Sequence, residues 1–310
     1  MNIIIGHTGY IGSFLLKELI KEDFTILGIS RQKISLKNQL KNKNFSEIKF
    51  DIFKERIIEK LDFNSKPIIY ICAHNINTNF SNKRKSIDLI YNSNKIFYLN
   101  FIENIKLLKP KKLIFLSSGG SLYDNTNKIK PSSENSTLNP LSEYGLSKFI
   151  LERYLINLSK DYQIPLVISR ISTIYGSSFS NTKFGFINYL KECSLNNNFP
   201  ILYGKDTYRD YLNIEDLVKI IIKIGNRDLI SSTYNISYGE SYSCLEIYNK
   251  VKQNLNKFGL KLREFVDQGS RNGENSKVFI SSDRLKNELN WIPKIDIDSG
   301  IEKFLNETIN

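Results

Sequence analysis

The feature that most constrains this chain is a set of three glycines at fixed spacing directly after its first apolar run. The run is NIII, residues 2–5, and Gly6, Gly9 and Gly12 follow it before the helical pattern of residues 13–22. At a strand-to-helix turn, glycines in this spacing allow a tight turn, close approach of a pyrophosphate, and close packing of helix on strand. The helix N-terminus adds a partial positive charge that favours phosphate. The sequence therefore predicts a dinucleotide-binding turn at these glycines.

Short apolar runs alternate with amphipathic stretches through the first half of the chain. Apolar runs of this length are typical of strands that are buried on both faces of a parallel sheet. The stretches between them, residues 13–22 and 86–108, repeat apolar residues at helical spacing. This alternation predicts an α/β fold with a doubly wound parallel sheet of the Rossmann type. The predicted strands are residues 2–5, 25–29, 47–50, 67–72, 112–117 and 165–169.

The alternation loosens after about residue 175, which predicts a smaller mixed α/β domain that binds the substrate. We place the dinucleotide-binding domain at residues 1–174 and the substrate domain at 175–310, partly interleaved with the first. The predicted helices of the second part are residues 184–195, 214–225 and 299–308, and its predicted strands lie near 201–203, 234–236 and 277–280.

Composition excludes several classes of protein. With 41% hydrophobic and 25% charged residues the chain is an ordinary globular protein. No stretch reaches the roughly 18 uninterrupted apolar residues that a membrane span needs, and the N-terminal residues show no basic leader and apolar signal core. The three cysteines, Cys72, Cys193 and Cys244, are scattered and form no CxxC pair, which disfavours a disulfide framework and a zinc site. We expect a cytoplasmic protein without membrane insertion or a bound metal.

The net charge of +12 raises the possibility of nucleic-acid binding, because lysine and arginine facing phosphates supply most non-specific affinity. The lysines are spread along the whole chain, however, and the densest clusters, residues 82–85 and 109–112, are typical of solvated helix and loop positions. A positive field also attracts small phosphorylated ligands. We therefore expect no nucleic-acid partner.

The end of the second predicted strand bears on the choice between the two nicotinamide dinucleotides. An acidic residue about 20 positions after the glycines normally binds the adenosine ribose of NAD. Here that strand ends in Ser30-Arg31. A guanidinium can bind a ribose 2′-phosphate through a forked pair of hydrogen bonds. The sequence favours NADP(H), with NAD(H) as the alternative, and Arg31 could instead stack on the adenine or face solvent.

Tyr144 and Lys148 are the candidate acid/base pair. They stand four residues apart on a helical pattern at 142–155, so they share one face of the helix. A free tyrosine titrates near 10, and work near neutrality needs a shift of roughly 3 pKa units, on the order of 4 kcal/mol. A nearby lysine cation and an oxidised nicotinamide can supply an effect of that size. Spacing alone is weak evidence, since Tyr91 with Lys95 and Tyr248 with Lys252 repeat it.

A serine and glycine cluster, upstream of this pair, strengthens the interpretation. The stretch KKLIFLSSGGSLYD, residues 111–124, is an apolar strand that ends in these residues. In a parallel α/β sheet the ligand crevice lies at the carboxyl ends of the strands. A hydroxyl placed there could share the substrate oxygen with Tyr144.

The motifs taken together resemble the extended short-chain dehydrogenase/reductases, the family of NAD(P)-dependent nucleotide-sugar epimerases, dehydratases and ketoreductases. The resemblance covers nearly the whole chain. Its motifs are GHTGYIG (6–12), FDI (50–52), LSSGGSLYD (116–124), YGLSK (144–148), RISTIYG (170–176), YRDYLNIEDL (208–217) and ELNWIPKIDIDSGIEKF (288–304).

The resemblance implies roles for individual residues. Tyr144 would be the acid/base and Lys148 its partner, which also holds the nicotinamide ribose. Arg209 and Arg271 would clamp the nucleotide diphosphate of the sugar substrate, and Thr173 would lie in the substrate pocket. The implied cofactor-binding residues are Gly6, Thr8, Gly9, Tyr10, Ile11, Gly12, Ser30, Arg31, Asp51, Ile52, Cys72, Ala73, Asn92, Tyr144, Lys148 and Ile174.

The chain also departs from the family pattern. The family's catalytic Ser/Thr position falls on Gly119, so Ser118 or Ser121 must substitute, and Ser118 is the better candidate by its distance of 26 residues from Tyr144 (144 − 118). Gly120 and Ser121 stand where dehydratases carry an acidic pair, which disfavours a 4,6-dehydratase reaction because it needs proton donors there. Thr173 replaces a common asparagine. For His7 and His74 we predict hydrogen bonds to phosphate or backbone rather than catalysis.

The sequence thus predicts a nucleotide-sugar 4-ketoreductase, with hydride transfer at C4 and Tyr144 as acid/base. A 4-epimerase with tightly bound NAD is the alternative, and a non-catalytic dinucleotide-binding scaffold is a further one, favoured by Gly119. The resemblance also implies a place in polysaccharide biosynthesis and a homodimer. Many relatives pair through the helix that bears the Tyr144 motif, and the apolar Phe149, Ile150 and Tyr154 face would permit this.

Overall fold

The computed structural model describes residues 1–33, 44–57, 65–74, 87–124, 130–177, 185–229, 232–269 and 277–309. Its helices are α1 (Tyr10–Lys21), α2 (Ile87–Leu107), α3 (Glu143–Tyr162), α4 (Phe186–Leu195), α5 (Ile214–Gly225), α6 (Cys244–Lys257), α7 (Asp283–Leu289) and α8 (Ile297–Ile309). Its strands are β1 (Asn2–Ile5), β2 (Ile26–Ser30), β3 (Phe45–Lys49), β4 (Ile68–Ile71), β5 (Lys112–Ser118), β6 (Leu166–Ile171), β7 (Thr173–Tyr175), β8 (Ile201–Leu202), β9 (Tyr208–Asn213), β10 (Thr233–Ile236), β11 (Ser241–Ser243) and β12 (Val266–Asp267).

A seven-stranded sheet in the order β10-β6-β5-β4-β1-β2-β3 forms the centre of the fold. Strand β1 pairs in parallel with β2 and β4, with Asn2 opposite Ile26 and Ile68, and β4 pairs in parallel with β5. All four residues of β1 are buried, as expected for a short apolar strand covered on both faces. The predicted doubly wound Rossmann-type sheet is confirmed. Two small sheets, β11-β9-β7 and β12-β8, complete the described strands.

The described residues form two compact units, each assembled from separate stretches of the chain. The first unit comprises residues 1–117, 143–169 and 218–233, and the second comprises residues 118–142, 170–217 and 234–310. Each unit has its own apolar core, with Phe101 and Phe115 fully buried in the first and Tyr248 and Phe304 in the second. The linear division at residue 174 remains a prediction about domain organisation.

The six strands predicted for the first half all form, with ends within two residues of the predicted ones. The predicted strand at 277–280 is wrong: Lys277 and Ile280 make only isolated bridges, to Tyr208 and Ser132. The alternating apolar residues of this stretch are buried as predicted, because Val278 and Ile280 pack beside Tyr123. A strand also needs successive hydrogen bonds to one partner strand, and single bridges to different partners do not supply them.

Helix α6 has no counterpart in the sequence-based prediction, although its start carries a clear signal. Ser243 and Glu246 form a capping box, in which each side chain bonds the backbone N–H of the other. The spacing S-x-x-E before an apolar run was visible in the sequence.

No helix within the described ranges is both long enough and apolar enough to cross a membrane. The described residues also contain no group of three or more histidine, cysteine or carboxylate side chains placed to hold a metal ion. The three cysteines are free thiols.

Candidate active site

The glycine turn between β1 and α1 has a geometry that side chains would disrupt. Gly6 has a φ of +89°, and a Cβ there would lie 2.8 Å from the backbone nitrogen of Ala73. A Cβ on Gly12 would lie 2.1 Å from the carbonyl oxygen of Gly6, because α1 packs directly on the turn. Gly9 is the N-cap of α1 in an extended conformation, and no side chain caps this helix end. The turn therefore leaves space for a ligand at the positive end of a helix.

A cavity of about 320 Å³ lies beside this turn, at the carboxyl ends of β1, β2 and β4. The absence of side chains at the turn and the position at the strand ends fit a dinucleotide. Nine predicted cofactor residues line the cavity: Gly6, Thr8, Gly9, Ser30, Arg31, Asp51, Ile52, Cys72 and Ala73. Further lining residues that the sequence did not single out as cofactor contacts are Ile5, Ile29, Gln32, Phe50, Phe53 and His74.

The end of β2 presents a cation to this cavity. Arg31 lines the cavity and its side chain is exposed. The hydroxyl of Ser30 donates a hydrogen bond to the carbonyl oxygen of Gln32, so that it closes its own turn. Asp51 also lines the cavity, and its Oδ1 accepts a hydrogen bond from the backbone nitrogen of Phe53 at 3.2 Å. Arg31 is therefore the group at this end that suits an additional phosphate.

Tyr144 and Lys148 lie on the first two turns of α3, within the same unit as the cavity. The Nζ atom of Lys148 lies 5.8 Å from the centroid of the Tyr144 ring, as the i, i+4 spacing predicts. Lys148 is 4% exposed and donates a hydrogen bond of 2.7 Å to the carbonyl oxygen of Leu116. Burial lowers the pKa of Lys148 to about 8. Its charge therefore lies near the Tyr144 ring in a dry environment, where water screens charges weakly.

A buried carboxylate, Glu152, lies one turn further along α3. Glu152 is fully buried, and its Oε1 accepts a hydrogen bond of 2.6 Å from the hydroxyl of Ser117. Its negative charge acts against burial and raises the pKa of Lys148. Sequence reasoning missed this residue, although its position four residues after Lys148 was a usable signal.

The two histidines have different environments. His74 lines the cavity, and its Nε2 lies 3.0 Å from the hydroxyl oxygen of Ser147 on α3. Its ring packs edge-on against Tyr144, with centroids 5.4 Å apart. His7 is fully buried beneath Gly28, with Nε2 3.1 Å from Oε2 of Glu47, and burial lowers its pKa. His7 does not line the cavity, which leaves His74 as the histidine beside the tyrosine.

The serine and glycine cluster belongs to the second unit. Ser121 donates a hydrogen bond of 2.7 Å to the hydroxyl oxygen of Ser118. A Cβ on Gly119 would lie 2.6 Å from Cδ1 of Ile280 and 3.2 Å from the carbonyl oxygen of Arg170. The space that a side chain at position 119 would occupy is thus filled by an isoleucine.

The remaining predicted cofactor residues lie in three places. Tyr10, Ile11 and Gly12 form the first turn of α1, where Tyr10 and Gly12 are buried. Asn92 is exposed on α2, and Ile174 is buried in β7 of the second unit.

Two of the three predicted substrate-binding residues lie within the described ranges. Thr173 is half-buried at the start of β7. Arg209 is half-buried on β9, and its Nη1 donates a hydrogen bond of 2.9 Å to the carbonyl oxygen of Tyr208. Both residues belong to the second unit. Arg271 lies outside the described residues.

Comparison with known proteins identifies the family. A sequence profile of the NAD dependent epimerase/dehydratase family matches residues 2–237, about three quarters of the chain. The chain belongs to this family. The predicted family, that of the extended short-chain dehydrogenase/reductases, is confirmed, and so is the prediction of an enzyme. The family is described as NAD-dependent epimerases and dehydratases.

Individual relatives cover the chain from end to end at low identity. A putative UDP-glucose 4-epimerase of Methanocaldococcus jannaschii is 27% identical over 99% of this chain and 97% of its own length. The dTDP-4-dehydro-6-deoxyglucose reductase of Escherichia coli is 28% identical over 98% of this chain and 96% of its own. The crystal structure of Thermus thermophilus UDP-glucose 4-epimerase in complex with NAD superposes with a TM-score of 0.83 at 20% identity, covering 99% and 98% of the two chains.

Proposed function

We propose that this enzyme reduces the 4-keto group of a nucleotide-activated sugar, with Tyr144 as the acid/base. The observation that supports the proposal most strongly is the Tyr144–Lys148 pair in the unit that also holds the glycine-rich cavity. The nicotinamide dinucleotide, when bound, supplies the hydride for C4. The similarity to the Escherichia coli reductase supports the same reaction.

Tyr144 donates the proton in this reaction. Its phenol passes a proton to the C4 oxygen as C4 is reduced, so that the ketone becomes a hydroxyl and the phenol becomes a phenolate. Lys148 stabilises that phenolate, because its ammonium is held nearby in a dry environment by the bond to the carbonyl oxygen of Leu116. Glu152, one turn further along α3, supports the charged form of Lys148.

We assign the substrate-binding hydroxyl to Ser118. The hydroxyl oxygen of Ser118 accepts the hydrogen of Ser121, so its own hydrogen is available for another acceptor, such as a sugar oxygen. Ser121 then orients Ser118 rather than touching the substrate. Gly119, where the family carries the hydroxyl, has no space for one beside Ile280.

We infer a preference for NADP(H) from Arg31, with NAD(H) as the alternative. An exposed guanidinium at the cavity wall can form a forked pair of hydrogen bonds to a 2′-phosphate. The reductive reaction accords with this preference. Titration of the two reduced dinucleotides into wild type and Arg31→Ala tests it: NADPH affinity should fall selectively in the variant, and equal losses for both dinucleotides would contradict the preference.

The substrate class that we propose is a nucleoside diphosphate sugar. Arg209 and Arg271 supply the cations for its diphosphate, and Thr173 contacts the sugar. The two relatives described above and the solved structure carry names of enzymes acting on UDP- or dTDP-sugars. A panel of UDP- and dTDP-sugars, screened for a rise in melting temperature, tests the class, because a ligand that binds only the folded form stabilises it.

A 4-epimerase with tightly bound NAD is the second candidate. The similarity to two UDP-glucose 4-epimerases, one of them solved with NAD, favours it. The same Tyr144 would then remove a proton from the 4-hydroxyl and return one after the hydride is delivered to the other face. An epimerase should copurify with its cofactor and convert UDP-glucose without consuming reduced dinucleotide.

The deciding experiment incubates the purified protein with NADPH and dTDP-4-dehydro-6-deoxyglucose. Loss of the reduced-nicotinamide absorbance supports the reductase. An unchanged reduced-nicotinamide absorbance, together with interconversion of UDP-glucose and its 4-epimer, supports the epimerase. Tyr144→Phe should lower either rate by about 10²-fold or more. A rate in that variant equal to wild type would rule out Tyr144 as the acid/base, and no turnover of either sugar by the wild type would favour the scaffold alternative.

We also propose a homodimer formed through α2 and α3. Ile96 and Leu99 are large apolar residues exposed on α2, 58% and 41% respectively. Phe149 and Tyr154 on α3 are half-buried. An exposed apolar face of this kind on neighbouring helices favours association with a second copy. A place in the cytoplasm and in polysaccharide biosynthesis remains part of the proposal.

A further inference from the structure

His74 connects the cavity wall to the turn of α3 that carries Tyr144, and no sequence motif accounts for this contact. The residue follows Ala73 and is the third residue after the end of β4, and both residues line the cavity. Its imidazole reaches across to α3, where it contacts Ser147 by a hydrogen bond and Tyr144 by its ring edge. Seventy-three residues separate His74 from Ser147 in sequence.

The hydrogen-bond network assigns the tautomer of His74. The hydroxyl of Ser147 donates to the carbonyl oxygen of Tyr144 at 2.8 Å, so its single hydrogen is already used. The contact at 3.0 Å between Nε2 of His74 and the Ser147 oxygen must then be an N–H donated by the imidazole. His74 therefore carries a proton on Nε2 and uses it to hold the first turn of α3.

The same ring restricts the Tyr144 side chain. The two rings meet edge-to-face, at an interplanar angle of 76° and a centroid distance of 5.4 Å. This arrangement is a favourable geometry for aromatic pairs, so it stabilises the observed orientation of the phenol. Lys148 lies 5.8 Å from the same ring centroid. The phenol is thus fixed by contacts with an imidazole and with an ammonium.

From these contacts we propose that His74 is a positioning residue for Tyr144. Its N–H bond to Ser147 fixes the backbone of the turn, and its ring fixes the orientation of the phenol for proton transfer. This role rests on the function proposed above, since it has catalytic meaning only if Tyr144 moves a proton. A displacement of about 1 Å from the reactive geometry can cost on the order of 10²-fold in rate, so a group of this kind affects turnover strongly.

The experiment compares His74→Gln with His74→Asn. The amide nitrogen of glutamine reaches about as far from the backbone as Nε2 of histidine, whereas that of asparagine reaches only as far as Nδ1. We expect His74→Asn and His74→Ala to lower kcat by about 10-fold to 100-fold with KM for the nucleotide sugar changed less than about threefold. His74→Gln should recover most of kcat. Equal losses in the Gln and Asn variants would overturn the hydrogen-bonding role.

Three further measurements separate positioning from other roles. The limb of the pH–kcat profile that belongs to Tyr144 should move in His74→Ala and return in His74→Gln, because the contacts of the phenol set its ionisation. The affinity for NADPH or NAD should change less than about threefold in every variant, whereas a loss that matches the loss of kcat would make His74 a cofactor contact and overturn the proposal. Amide exchange in the second turn of α3, whose N–H groups bond the carbonyl oxygens of the first turn, should quicken in His74→Ala and not in His74→Gln.

A double-mutant cycle distinguishes this inference from the proposed function. If His74 acts through Tyr144, the Tyr144→Phe/His74→Ala double variant should be no slower than Tyr144→Phe alone. Full activity in Tyr144→Phe would refute the proposed function, and full activity in His74→Ala with an impaired Tyr144→Phe would refute only the inference. Tyr91→Phe is the matched control: it removes the 3.1 Å contact of the Tyr91 and Tyr154 hydroxyls between α2 and α3, away from Tyr144, and should leave kcat unchanged.

Discussion

At the scale of single residues, the proposed chemistry depends on a lysine that the fold keeps away from water. Lys148 is almost fully buried, donates to a backbone carbonyl oxygen, and has its pKa lowered by burial to about 8. The negative charge of Glu152 raises the same pKa. The charge beside Tyr144 is therefore present at neutral pH and lost within the mildly alkaline range, which ties the activity to pH.

Turnover should fall as the pH rises through about 8, because neutral Lys148 no longer stabilises the Tyr144 phenolate. The free energy of unfolding depends on pH in the opposite direction to turnover. Unfolded Lys148 returns to its ordinary value of 10.5, so between pH 8 and 10.5 the unfolded state binds more protons and the contribution of this residue to stability rises with pH. Lys148→Met should remove this fall of turnover and this rise of stability with pH. A pH–rate profile measures the first and denaturant unfolding at several pH values measures the second.

Glu152→Gln provides the companion test of the same residue. The variant keeps an oxygen that can accept the Ser117 hydroxyl but removes the negative charge that supports protonated Lys148. The alkaline limb of the rate profile should therefore shift to lower pH. Ser117→Ala, which removes the hydrogen bond and leaves the charge in place, should shift the limb less. A limb that stays fixed in Glu152→Gln would argue against Lys148 as its source.

At the scale of elements, close packing between neighbouring segments determines what a position can carry. Position 12 has no room for a Cβ atom because α1 packs against the glycine turn. Position 119, after the end of β5, has none because Ile280 lies against it. Both restrictions concern the space around a Cβ atom. Each can be tested by adding a single methyl or hydroxymethyl group.

Gly12→Ala should unfold or strongly destabilise the first unit, because its Cβ would lie 2.1 Å from the backbone oxygen of Gly6, which cannot move aside. Overpacking of this kind typically costs about 1–3 kcal/mol and occasionally more. Gly9→Ala, with its Cβ 3.3 Å from the same oxygen, should stay folded but bind the dinucleotide more weakly. Thermal unfolding and cofactor titration check the pair. Gly12→Ala with the melting temperature of wild type would contradict the geometry.

Gly119→Ser should be destabilising, because its Cβ would lie 2.6 Å from Cδ1 of Ile280. Ile280→Val removes that methyl group and should recover part of the loss in the double variant. The single Ile280→Val change typically costs about 0.5–1.5 kcal/mol. A double-mutant cycle by urea unfolding measures the coupling between the two sites. Additive effects would show that Ile280 does not fill the space at position 119.

At the scale of the whole molecule, the open question is association with a second copy. The chain carries a net charge of +12, which favours solubility and repulsion between copies. The apolar residues exposed on α2 act against this repulsion. Which effect prevails determines the oligomeric state.

Ile96→Glu and Leu99→Glu should shift the protein from dimer to monomer, because each places a charge in the proposed apolar interface. Sedimentation velocity or light scattering at several concentrations measures the shift. Leu195→Glu is the control, since Leu195 is 47% exposed on α4, which is not part of the proposed interface. Monomeric wild type, or dimers that persist in both α2 variants, would exclude this interface.

The chain by itself determined the features that depend on local spacing. The β1–turn–α1 unit follows from the apolar run and the glycines at 6, 9 and 12, and Tyr144 meets Lys148 because residues four apart share a helix face. Short apolar runs were enough to predict the parallel sheet, since strands buried on both faces have few alternatives. The motifs spread along the chain identified the family.

Only the tertiary structure decided which distant residues meet. His74 reaches Ser147, the Ser117 hydroxyl reaches Glu152, and Ile280 fills the space beside Gly119, over separations of 73, 35 and 161 residues (280 − 119). The wrongly predicted strand at 277–280 has the same origin, because a strand needs a partner strand as well as an apolar pattern. Periodicity reports which face of an element is buried, while the order of strands in the sheet and the packing between elements select the partner.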